Sequence, residues 1–360
     1  HAARRATRPR RAARAPLEDA RGRTLHPCAQ AMGGSWSDED IRRYADLFDC
    51  VIVGGSADRA RVARFHQLHP GIVVLAYTGE FDVYNSSGLW TWIHAQHDDW
   101  FLRDAGGGHV RTYRTPNRYA LDPGNAGVRA FFADSAARRI AELGCDGVWE
   151  DNVFPDWNYR SFAMGAKLAR YASPTAWREA LEGYLARLER SVAPHHLAVN
   201  QVKPWTGHGD IVVIEDLPAG EGWEDMVEGL ARVNEQPGRT TMLLESLDNA
   251  QDPKRAFIAA SYLLAAKPGA YLGFHWSGGR SGVGRVPEYD LELGRPAGAM
   301  SHADGVWWRD WDRARIAVNP GAEPRPAPGG GTLPPHSAGI AWRTSDHPAL
   351  PDWVDLGARQ

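Results

Sequence analysis

Gly144-Cys145-Asp146-Gly147-Val148-Trp149-Glu150-Asp151-Asn152 follows a segment of helical period, Gly127–Leu143, and its apolar run stops on two acids and an amide. Working outward, the same pattern of a short β-rich run set off by helix-period sequence recurs along the chain. Strands are predicted at His26–Met32, Cys50–Gly54, Ile72–Tyr77, Gly147–Asn152, Leu197–Val202, Ile211–Glu215, Thr241–Glu245 and Ala270–Trp276. Helices are predicted over Asp38–Leu47, Ala57–Leu68, Gly127–Leu143, Ala176–Ser191, Trp223–Val233 and Pro253–Ala266. The first of these opens on a Ser-Asp-Glu-Asp start signal and gathers Ile41, Tyr44, Ala45 and Phe48 on one face. Eight runs with helices between them predict an α/β fold, a (β/α)8 TIM barrel, in preference to a doubly wound sheet. The first run ends in Met32-Gly33-Gly34-Ser35, which lacks the spacing of a dinucleotide loop, and no Walker lysine motif is present.

The chain has 360 residues, room for one barrel and a small appendage. The expected division is an Arg-rich tail at 1–24, a barrel at 25–300 and a small β-rich C-terminal appendage at 301–360. Residues 1 to 23 hold eight Arg against Glu18 and Asp19, with almost no large apolar side chain, which predicts a solvated, disordered arm. The chain starts at His1 and shows no apolar signal-peptide core, so the expectation is a processed or truncated N-terminus. A net charge of -3 argues against nucleic acid as a partner. No apolar run reaches the length of a membrane span. Cys28, Cys50 and Cys145 lie in or beside predicted strands with no ligand spacing, and are expected as buried free thiols. The 15 Trp exceed both Phe and Tyr in number, and flat rings of that kind stack on sugars as well as in cores.

In a barrel the chemistry sits where the strands end. Carboxylates mark four such ends: Glu80 and Asp82 after run three, Glu150 and Asp151 in run four, Glu215 and Asp216 at run six, and Glu245 with Asp248 at run seven. Two carboxylates serve glycosidic cleavage, one protonated to release the leaving oxygen and one ionised to attack carbon or activate water. Strands four and six stand roughly 10 Å apart at their backbones, and inward side chains can close that gap to a retaining pair. Glu150 and Asp151 must face opposite ways, as must Glu215 and Asp216, and the period alone does not say which member enters the pocket.

The stretch Leu121-Asp122-Pro123-Gly124-Asn125, a helix, and then the Asp146–Asn152 sequence resembles the fourth strand of predicted glycoside hydrolase barrels related to endo-α-polygalactosaminidases and α-galactosidases. Asp98-Asp99-Trp100-Phe101-Leu102-Arg103-Asp104 and Val306-Trp307-Trp308-Arg309-Asp310 resemble further segments of such proteins, and the set most similar is hypothetical glycosyl hydrolase family 15. The resemblance implies an O-glycosidase with Asp151 as nucleophile and Glu215 as general acid/base; with the spacing of strands four and six the expected mechanism is retaining, and no cofactor is expected. Glu245, Glu150 and Glu80 stand in reserve, Glu245 implying inversion. It also points to a secreted or cell-envelope setting, although the residues themselves leave localisation and oligomeric state open.

A carbohydrate substrate would be met by Glu80, Asp82, Trp100, Glu150, Asn200, Lys203, Glu245, His275 and Trp276. Several of these lie in or beside the long Thr78–Asn125 connection expected over the barrel mouth. That loop also carries His94 and His97, but without a dense ligand motif no metal is expected. The alternative is a carbohydrate-binding barrel without hydrolysis. An acidic body favours amino sugars or neutral α-linked glycans over anionic polymers.

Overall fold

The computed structural model describes residues 22–33, 36–79, 81–113, 117–159, 162–276, 284–343, 347 and 350–357. Its centre is a closed barrel of eight parallel strands, β1 (Leu25–Ala31), β2 (Cys50–Val53), β3 (Val73–Thr78), β4 (Gly147–Glu150), β5 (His196–Asn200), β6 (Ile211–Glu215), β7 (Thr240–Leu247) and β8 (Ala270–Trp276). Each strand pairs with its sequence neighbour, and β1 closes on β8 through Leu25↔Ala270 and Pro27↔Leu272. The chain is therefore a TIM barrel, with the eight predicted runs as its eight staves. Among the described residues seven α-helices follow in chain order: α1 (Asp38–Leu47), α2 (Arg59–Leu68), α3 (Gly88–Gln96), α4 (Ala126–Leu143), α5 (Pro174–Val192), α6 (Trp223–Asn234) and α7 (Lys254–Ala265). After β8 the described chain has only a 3-10 turn, Pro287–Asp290, before the C-terminal strands begin.

Local chemistry sets the ends of these elements. Ser37 accepts from the Asp40 amide at 3.1 Å while Asp40 accepts from the Ser37 amide at 2.9 Å, so α1 starts with both orphan donors satisfied. The Asn125 side chain caps α4, and Gly144 ends it with φ 77, a left-handed turn. Packing follows the two-residue period of the strands. Cys28, Cys50, Ile52, Val73, Leu75, Trp149, Ala198, Ile211, Val213, Met242, Leu244 and Tyr271 form one buried cluster with a member from every stave, the barrel interior. Their neighbours Val51, Val74, Val148, Leu197, Val212, Leu243 and Leu272 belong to the other cluster, under the helices. All three cysteines are buried and free.

The Thr78–Asn125 connection folds into a layer of its own. Strands Asp82–Tyr84 and Arg118–Ala120 pair antiparallel, α3 lies between them, and a 3-10 turn spans Asp98–Trp100. Its core of Val83, Ile93, Trp100, Phe101 and Leu121 packs on Val128 of α4.

A five-stranded sheet of Ser301–Ala303, Val306–Asp310, Ala314–Asn319, Ser337–Trp342 and Val354–Asp355 covers the outer side of α7. All residues of α7 from Arg255 to Ala265 are buried, because barrel and sheet enclose the helix from both sides. At its start Arg255 donates to Glu288 at 2.7 Å and also bonds Asp352, while Trp353 donates to Glu288 at 3.2 Å. Glu288 is 1% exposed, so removing its cation strands a charge away from water. Arg255→Met is expected to lower the unfolding free energy by about 3–5 kcal/mol, and Arg255→Met with Glu288→Gln to recover part of that loss. Chemical denaturation of the two variants measures both; equal stability of all forms would contradict the ion pair's role.

Candidate active site

The alternation that fills the barrel interior carries on to the strand ends. One step beyond the buried layer, the inward positions are Gln30 on β1, Tyr77 on β3, Asp151 just past β4, Asn200 on β5, Glu215 on β6, Ser246 on β7 and His275 on β8. Asp151 keeps the strand direction because its amide bonds Thr78 O at 3.0 Å. Gly79 beside it has φ 145, and a Cβ there would stand 2.6 Å from Asp151 Cβ, so only glycine lets the two backbones approach this closely.

Asn200 joins the two acids. Its Nδ2 donates to Asp151 Oδ1 at 2.6 Å and to Glu215 Oε2 at 3.0 Å, which limits those oxygens to a separation of at most about 5.6 Å. Tyr77 OH donates to Asp151 Oδ2 at 2.9 Å, and the Asn152 amide donates to Asp151 Oδ1 at 2.7 Å. Gln30 reaches across the mouth from β1 and donates to Glu215 Oε1 at 3.0 Å. Burial pushes the Glu215 carboxyl above its ordinary value, the Asp151 charge adds to this, and the amides of Asn200 and Gln30 pull partly the other way. Burial and Asp151 likewise raise Tyr77, which stays a neutral donor. The result is a carboxyl raised above its ordinary value beside a second acid whose oxygens are held by three donors.

The other acids at the strand ends turn elsewhere. Glu150, 1% exposed, faces outward, where it accepts from Tyr184 of α5 at 2.9 Å and from Thr78 at 2.7 Å. Glu245 has the outward parity of β7 and accepts from the Leu217 amide at 2.8 Å, so it pins the turn after β6. Asp82 is buried in the excursion with Arg118 at 2.8 Å, and Arg118 lies over the Tyr113 ring at 4.9 Å. Tyr113 OH donates to Asn152 at 2.8 Å, which ties the excursion to the residue next to Asp151. Asp216 is exposed with φ 62, and Asp248 is exposed.

His275 faces inward and shares a hydrogen bond of 2.8 Å with Ser246, whereas Trp276 packs outward on the helix-side cluster. Lys203 is exposed, and Trp100 packs against His97 at 4.3 Å and Phe131 at 5.5 Å in the excursion core. Glu80 lies outside the described residues. The structure thus gathers Asp151, Glu215, Asn200 and His275 on the inner face, and turns Glu150, Glu245 and Trp276 to the outer one.

Gln30, Tyr77, Tyr113 and Asn152 are members of the site that the sequence reading gave no role. Gln30 and Tyr77 share the inward parity of Asp151 and Glu215, a signal that exists once one inward residue is fixed. Tyr113 arrives through a long-range fold and has no local signature. Asp146, by contrast, bonds His66 and the Val74 amide, both at 2.9 Å, at the opposite end of the barrel.

The family model of hypothetical glycosyl hydrolase family 15 matches residues 66–315, more than half of the chain and both acids with it. The chain belongs to that family. This glycosyl hydrolase is an O-glycosidase by class. No curated protein matches its sequence. Among solved structures it is similar to the glycoside hydrolase domain of PelA from Pseudomonas aeruginosa, with 17% identity and a TM-score of 0.50 over 72% of this chain and 98% of that one. It is also similar to an alpha-galactosidase from Lactobacillus brevis, at 11% identity and a TM-score of 0.51 over 82% and 46% of the two chains. A GH31 alpha-xylosidase from a soil metagenome gives 12% identity and a TM-score of 0.52 over 71% and 42%. At these identities the likeness is one of fold.

Glu245 gives the family member a measurable pH dependence. Burial pushes its carboxyl up to about 8 from an ordinary 4.5. Between those values the unfolded chain releases a proton that the fold retains, so stability falls as pH rises through that window and the loss is complete above it. Glu245→Gln removes the titration and still accepts the Leu217 hydrogen bond. It is expected to melt above the parent at pH 9, with the gap closing toward pH 4.5, in thermal melts across the range. A gap independent of pH would assign Glu245 another role.

Proposed function

We propose that the protein cleaves O-glycosidic bonds by double displacement with retention, Asp151 acting as nucleophile and Glu215 as general acid/base. The observation that carries this is the single Asn200 nitrogen bonded to both acids. A bound of about 5.6 Å between their oxygens lies close to the roughly 5–5.5 Å of retaining pairs and below the roughly 6.5–9.5 Å that leaves room for a water in inverting ones.

The roles follow from the surroundings. In the first step protonated Glu215 gives its proton to the glycosidic oxygen as the bond from that oxygen to the anomeric carbon breaks, and an Asp151 oxygen forms a bond to the same carbon. In the second step Glu215 takes a proton from water, the water oxygen bonds the anomeric carbon, and the Asp151 ester oxygen leaves as carboxylate. The upward push on Glu215 favours the proton it must donate. Tyr77, Asn152 and Asn200 donate to Asp151, which holds its oxygens in place and eases their departure as an anion. His275 with Ser246 lines the inner face near the strand ends, and the Asp216 charge acts on that imidazole, a polar pair suited to sugar hydroxyls. The acid-rich mouth suits neutral α-linked glycans or amino sugars.

The experiment is hydrolysis of a panel of amino-sugar polymers and neutral oligosaccharides with the anomer of the first product followed by NMR. Retention is the expected outcome, and initial release of the inverted anomer would overturn the mechanism. Asp151→Asn is expected to abolish turnover with the fold intact. Glu215→Gln should reduce it by about 10²–10⁴-fold, with the loss smaller for substrates whose leaving group needs no proton. Saturable glycan binding with no product from any substrate would favour a binding barrel instead.

Because Asn200 lowers Glu215, Asn200→Ala should move the alkaline limb of the pH–rate profile upward. A profile unchanged in position would show that Glu215 does not set that limb.

A further inference from the structure

The excursion between β3 and β4 carries a second group of ligating side chains, away from the two acids. His94 near the end of α3, Asp98 in the following 3-10 turn and His109 each present one ligand atom, and the three atoms lie within 4.8 Å of one another. They sit on three successive pieces of chain: helix, turn and the strand-like segment that pairs with both Leu102 and Ala120 through Val110.

Both imidazoles are held before any ligand arrives. His94 stacks on Trp90 with ring centroids 4.6 Å apart, and His109 packs on Phe101 at 4.3 Å. His109 Nε2 is buried and has no hydrogen-bond partner among the described residues. It stands 3.0 Å from Asp98 Oδ1 without the alignment of a hydrogen bond. Two electron-rich atoms at that spacing fit one edge of a coordination shell, since two bonds of about 2.0–2.1 Å meeting near a tetrahedral angle span a similar distance. Arg103 bonds the other Asp98 oxygen and fixes the carboxylate, leaving Oδ1 for a ligand.

We propose that His94, Asp98 and His109 bind one divalent transition-metal ion, Zn2+ in particular, as a clip that fastens α3 and its 3-10 turn to the segment leading to Tyr113. Two imidazoles and one carboxylate form a set of borderline softness, matched to zinc and poorly matched to calcium or magnesium. The site is solvent-facing on the His94 and Asp98 side, which leaves water for the remaining position. The clip secures the layer whose Tyr113 bonds Asn152 beside Asp151, and it takes no part in bond cleavage.

The test uses the full chain, stripped with a chelator and dialysed, and Zn2+ alone as the probe in calorimetric titration, with Co2+ absorption as a second readout. The expected result is one equivalent of bound metal, a visible cobalt spectrum of nitrogen-ligated character, and about tenfold or weaker affinity in His94→Gln and in Asp98→Asn. His94 and Asp98 are exposed, so these variants fold, and circular dichroism with a thermal melt in chelator verifies it. His302→Gln, on the C-terminal sheet, should bind as the parent does. Absence of saturable binding, or binding unaffected by both substitutions, would overturn the proposal. No readout depends on glycoside hydrolysis, so failure here leaves the carboxylate pair untouched, and the reverse also holds.

Discussion

A closed parallel barrel divides its side chains between a filled interior and an exterior covered by helices, and every other feature of this protein obeys that division. Because the strand period is two, placing Trp149 inside commits Glu150 to the outside and Asp151 to the inside again. The same parity sends Glu215 inward and Glu245 outward. Adjacent acids in the sequence thereby acquire opposite environments, one set at an open mouth and the other in a dry layer against the helices. Glu150 and Glu245 each meet donors on that outer side, Tyr184 and Thr78 for one and the Leu217 amide for the other.

The inward acids are fixed by donors that carry no charge. Among the described residues, Asp151 receives hydrogen bonds from a phenol, a backbone amide and a carboxamide, and Glu215 from two carboxamides. A cation in any of these places would draw Glu215 down toward ionisation. Neutral donors hold the geometry while leaving the mutual repulsion of the two acids in force, and burial, with that repulsion, is what raises the Glu215 carboxyl above its ordinary value.

Much of this architecture was legible in the chain because short alternating runs and intervening helical periods leave a regular trace. The eight strands lie at the predicted places within a residue or two, and Ser37 caps α1 as its sequence indicates. Inside the Thr78–Asn125 connection the trace fails. In α3 the apolar residues Leu89, Trp90, Trp92 and Ile93 spread over several faces, since the helix packs within an aromatic layer rather than on one flat core, and no clean period survives. Trp100 looks like a sugar platform in the sequence because a wide ring in a long loop has no visible partner; its partners Phe131 and Gly127 come from a helix 27 to 31 positions away. The choice between Glu150 and Asp151 was undecidable for a different reason, as parity relates residues to one another but does not say which parity is inner.

The burial of α7 on every side alters what counts as the barrel. A helix that would ordinarily present a polar face to water instead presents Phe257, Ile258, Leu263 and Leu264 in all directions, and the C-terminal sheet takes the position of solvent. Shortening the protein at the end of β8 would thus expose an oily cylinder and orphan Arg255, so the outer sheet is part of the minimal foldable unit rather than a detachable module. Recombining this barrel with other domains would require carrying that sheet along.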